Sequence, residues 1–126
     1  MTSAERQAAE QRGRAAEDTA AAYLRAQGYE IASTRYRGKN EGGGRGRAGE
    51  VDIIARRDDL IVFVEVKARK TAQFALDDIT ARAQRRIETA GEKWIESQPD
   101  GASLSWRYDV IAIVPGKPPL HFENVW

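Results

Sequence analysis

Residues 50–70 read EVDIIARRDDLIVFVEVKARK, and their interpretation decides the fold. The run LIVFV (60–64) is apolar at every position, as in a strand covered on both faces. EVDIIA (50–55) is a second strand, and the shortest link between the two is a turn at Asp58-Asp59. Aspartate tolerates the left-handed backbone that such a turn needs. In that register Arg56 faces Ile61, Ile54 faces Phe63, Asp52 faces Glu65 and Glu50 faces Lys67. Alternation then brings Asp52, Glu65 and Lys67 out on one sheet face. Opposed residues have Cβ atoms about 4.5–5.5 Å apart, so two carboxylates there repel and one tends to keep its proton. Two readings remain open. Cross-strand ion pairing such as Glu50–Lys67 is ordinary structure. A divalent cation between Asp52 and Glu65 also relieves the repulsion, and Mg²⁺ or Mn²⁺ takes oxygen ligands while leaving room for a phosphate.

Working outward, Thr2 and Glu5 have the spacing of a capping box, and AAEDTAAAYLRAQ (15–27) has helical period up to Gly28. Residues 1–12, ahead of the weakening Gly13, are expected as an N-terminal extension prone to fraying. Strands are expected over 29–37, 50–56, 60–68 and 105–114, with a short last strand in LHFENV. A helix is expected over 79–97, long enough to cross to a parallel strand. The Gly-rich stretch 38–49 reads as a flexible loop. The order is α-β-β-β-α-β-β: a mixed central sheet flanked by helices, α/β in class, in one domain over residues 1–126.

Composition narrows the function. The 126 residues are 41% hydrophobic and 31% charged with a net charge of +1, so any basic footprint is local. There is no cysteine, which excludes disulfides and thiolate metal sites and fits a cytoplasmic protein. The longest apolar run is too short to cross a membrane. No Ser-His-Asp set or Walker loop is present, and the one histidine, His121, reads as structural.

GEVD (49–52), a gap of twelve residues, and EVK (65–67) resemble the D-x(n)-ExK signature of the PD-(D/E)XK nuclease superfamily. More closely, the chain resembles the bacterial YraN-like family, related to archaeal Holliday-junction resolvases. Four blocks carry the likeness in order: Gly13-x-x-x-Glu17 with AAAYLRAQGY, the hairpin GEVDIIA and VFVEVKAR, QRRIETAGEKWI, and RYDVIAIV. Ala83 departs from it, standing where a lysine is expected before Gln84.

The resemblance implies a restriction-endonuclease-like α-β-β-β-α-β core and a Mg²⁺- or Mn²⁺-dependent endonuclease cutting DNA, including branched or damaged structures. Asp52, Glu65, Lys67 and Glu17 would be catalytic. Asp52, Glu65, Glu17 and the Val66 carbonyl would hold the metal. Glu50 would stand behind the site as partner of Lys67, and Gln84 would touch the site. Arg35, Arg37, Lys39, Arg45, Arg47, Arg82, Arg85 and Arg86 are candidates to grip the phosphates of structured or double-stranded DNA. A homodimer is in keeping with the related resolvases. The alternative is a nucleic-acid-binding module that keeps the nuclease fold with little catalysis of its own.

Overall fold

The computed structural model describes residues 1–38 and 49–126; the stretch expected as a Gly-rich loop falls almost wholly outside them. Helix α1 (Ser3–Ala26) starts on a complete capping box, with Thr2 and Glu5 each bonding the other's backbone N–H. It runs unbroken through Gly13, so most of the expected N-terminal extension is helix. It stops at Gly28, whose φ of 91° suits a residue without Cβ. Only its second half is anchored in the core, through Ala16, Ala20, Ala21 and Leu24.

Strands β1 (Glu30–Arg37), β2 (Glu50–Arg57) and β3 (Leu60–Ala68) follow, the last two joined by the expected two-residue turn. Asp58 takes the left-handed backbone there, with φ 55°. The pairing Arg56↔Ile61 and Ile54↔Phe63 is the register read from the sequence. A short helix α2 (Ala72–Asp77), absent from that reading, precedes α3 (Ala81–Ser97), which Thr80 caps. A turn of 3₁₀ helix leads into β4 (Ser105–Ile113), and β5 (Leu120–Phe122) closes the chain.

The five strands lie in chain order, antiparallel except for the parallel pair β3·β4. The apolar run of β3 is explained by two covers. Ile61 and Phe63 pack with Ile87, Ala90 and Trp94 of α3. Val62 and Val64 pack with Ala20, Ala21 and Leu24 of α1. The architecture is thus α/β, a mixed sheet between helices. No helix among the described residues is long and apolar enough to cross a membrane.

Candidate functional site

The β2·β3 pairing reaches Ile53↔Val64 and then changes character. Beyond it the Val66 N–H donates to Asp52 Oδ2 at 2.8 Å, so a side chain takes the place of a strand carbonyl. That bond holds the Asp52 carboxyl at the β3 backbone, within hydrogen-bonding reach of Glu65. Lys67, two residues on, brings Nζ to 3.5 Å from Glu65 Oε1. The three side chains expected to converge do so.

A cavity of about 370 Å³ opens over them. One wall is the end of β3 from Glu65 to Ala68 and the following Arg69, with Asp52 beside it. The other is α1, through Ala9, Arg12, Gly13, Ala16 and Glu17, a helical stripe. Burial is the main reason that both acids hold protons more tightly than usual. Glu65 is pushed up to about 8, with the Asp52 charge adding to burial and Lys67 opposing it. Asp52 rises to about 6; the Val66 N–H restrains it, while Glu17 and Glu50 raise it further.

Glu17 lines the cavity and pairs with Arg35 Nε at 2.7 Å. Arg35 has a φ of 52° inside a strand, unusual for a residue with a side chain. Glu50 corrects an expectation: it bonds Arg37 at 3.0 Å, and Lys67 turns to Glu65 instead. Arg37 sits opposite Glu50 on the adjoining strand, and its guanidinium reaches across the rung. Gln84 bonds Glu88 one helical turn on and is not part of the cavity wall. Arg82, Arg85 and Arg86 are exposed on α3, outside the cavity. Lys39, Arg45 and Arg47 lie outside the described residues.

The Asp52–Glu65 pair fits a hard divalent cation, offering two oxygen donors close together. Among the described residues no group of three His, Asp or Glu is arranged to hold one ion.

The family model described as "Uncharacterised protein family UPF0102" matches residues 16–113. The chain belongs to this family. A UPF0102 protein of Rhizobium johnstonii is 47% identical over 121 residues, covering 96% of this chain and 93% of the relative. One from Rhizobium etli is 45% identical over 115 residues, 91% and 88% of the two chains. One from Paramagnetospirillum magneticum is 42% identical over 120 residues, 95% and 90%.

Two features of this UPF0102 chain escaped the sequence reading. Arg12 and Arg69 line the acidic cavity. For Arg12 the signal was available, since it shares a helical stripe with Gly13 and Glu17. The second is a buried polar cluster around Asp109, which is fully buried on β4. It accepts from Arg107, the Asn124 N–H and His121 Nε2, the last at 2.6 Å. His121 Nδ1 lies 3.1 Å from the Tyr23 hydroxyl on α1. Burial opposes ionisation of Asp109, but these partners outweigh it and hold the carboxyl below its usual range. The His121 in the tail is therefore structural, with a partner that spacing did not reveal.

Proposed function

We propose that this protein is a divalent-cation-dependent DNA endonuclease of the PD-(D/E)XK superfamily, with the restriction-endonuclease-like core implied by its sequence likeness. The observation that carries this reading is the meeting of Asp52, Glu65 and Lys67 in one cavity. Repelling carboxyls weaken a fold, and a core has no use for them at the end of its most apolar strand. They suit a site that recruits positive charge.

Asp52 and Glu65 would hold Mg²⁺ or Mn²⁺, with the Val66 carbonyl as a further oxygen. The ion supplies acidification of water and neutralisation of charge on the phosphate. The Val66 N–H fixes the Asp52 carboxyl, so the pair is set before substrate arrives. Lys67 faces the same space and would stabilise the negative charge that grows on the phosphate oxygens. Arg12 lines the opposite wall and would hold a neighbouring phosphate. Arg35 keeps Glu17 at the cavity edge.

The test is cleavage of linear, nicked, flapped and four-way DNAs in Mg²⁺ or Mn²⁺. Lys67→Ala should lower the cleavage rate at least 100-fold while DNA affinity changes little, since its charge acts mainly in the transition state. Asp52→Ala should abolish cleavage and weaken Mn²⁺ binding. Wild type that binds these DNAs but cuts none would favour the binding-module reading. Equal cleavage by wild type and both variants would place the activity elsewhere.

A further inference from the structure

A second, larger hollow of about 910 Å³ adjoins the acidic cavity, and the two share Arg12, Ala16, Ala68 and Arg69 as walls. Its size is that of pockets which enclose a small organic group, about 300–1,000 Å³. Its surface is mostly apolar, from Ala15, Ala16, Ala68, Ile113 and Pro115. The rim is cationic. Arg12 and Lys70 are exposed there, and Arg69 is held by Asp78.

The polarity change across the shared wall identifies the occupant. A continuous duplex offers a phosphate site only backbone, since its bases are stacked and paired inside. An apolar hollow beside that site has nothing to receive from it. An unpaired nucleotide offers both parts: a base face for an apolar pocket and a phosphate for a cationic rim. Arg12 borders both cavities and can hold the phosphate between them.

We infer that this groove seats an unpaired nucleotide next to the scissile phosphate, so that the preferred substrate is DNA with a single-stranded segment at the cut. The inference rests on the phosphodiesterase reading of the Asp52–Glu65 site and specifies its substrate class.

Ala15 provides the test, being exposed on α1 and part of the groove wall. Ala15→Glu places an anion where the nucleotide would lie, and Ala15→Arg places a cation of similar bulk. Melting curves establish that both fold. Wild type should cut a flapped DNA at least tenfold faster than the continuous duplex of the same sequence. Ala15→Glu should erase that ratio, and Ala15→Arg should keep it. Equal rates on the two substrates, or a ratio untouched by Ala15→Glu, overturns the inference and leaves the nuclease reading standing.

A second readout needs no catalysis. With 2-aminopurine as the unpaired base and EDTA present, wild type should change its fluorescence at least twofold, and Ala15→Glu should not. If no DNA is cut but this change occurs, the groove stands and the catalytic reading fails. If no change occurs in wild type, the groove assignment is wrong.

Discussion

Asp52 and Glu65 couple the candidate site to the stability of the protein. Both titrate higher in the fold than the ordinary 3.8 and 4.5, at about 6 and about 8. Over that interval the folded chain binds more protons than the unfolded one, so stability falls as pH rises. The contribution is intact below the ordinary values and lost once pH passes about 8. Asp109 acts in the opposite sense at lower pH, since its carboxyl is held down and its contribution is lost as acid protonates it. In EDTA, the melting temperature should therefore decline between about pH 5 and pH 8. Glu65→Gln should flatten that decline and stabilise the protein at pH 8 by about 1–3 kcal/mol. Mg²⁺ should raise the wild-type melting temperature at pH 8 and leave Glu65→Gln almost unmoved. Parallel pH profiles for the two proteins would remove the acid pair as the cause.

At the scale of elements, the segment entering β2 passes close to the backbone of α3 at Gly49. A Cβ on Gly49 would stand 2.3 Å from the Arg86 carbonyl oxygen and 2.4 Å from its carbon, both backbone atoms. Gly49→Ala must push α3 away from the residue that leads into β2, three residues before Asp52. A cost of about 1–3 kcal/mol is expected, read as a lower denaturation midpoint. Gly13→Ala is the contrast. Nothing lies within 4 Å of its Cβ position, and it sits inside a helix, so alanine should stabilise by about 0.5–1 kcal/mol. These two glycines also show what the sequence made legible. The hairpin could be read to the rung because a two-residue turn fixes register and the apolar run allows only one pairing of faces. The start of α1 is legible in the Thr2–Glu5 capping box, and Gly13 lowers local propensity without breaking the helix. Helix α2 has six residues, too few to show a period. Strands on both sides of Glu50 offer a cation, and only the side-chain geometry selects Arg37 over Lys67.

At the scale of the whole molecule, Asp109 binds the periphery to the sheet. Through Arg107, His121 and the Asn124 N–H it joins β4, β5 and the segment after it, and His121 extends the link to α1. Asp109→Ala removes the fully buried acceptor shared by Arg107, His121 and the Asn124 N–H, leaving Arg107 only Glu123 as an anion. A loss of about 3–5 kcal/mol is expected, measurable by chemical denaturation, with β5 amides exchanging first. Asp109, His121 and Tyr23 come from three elements, and nothing in their spacing marks them as neighbours, so this cluster was invisible before the fold was known.

The parallel β3·β4 pair sets a delay in the life of the chain. Each residue from Leu60 to Ala68 finds its β4 partner 45 positions later. At about 5–20 residues per second of synthesis, the β3 edge waits about 2–9 seconds with its apolar run open to other chains. Glu65 and Lys67 break up the end of that strand and Arg69 follows it, and charges so placed restrain strand-to-strand association. A chain released before β4 is made, ending at Asp100, should sediment as aggregate under conditions where the full chain stays dispersed. Neutralising Glu65, Lys67 and Arg69 together in that truncated chain should hasten its precipitation. The charges assigned to DNA chemistry would then already protect the unfinished chain on the ribosome.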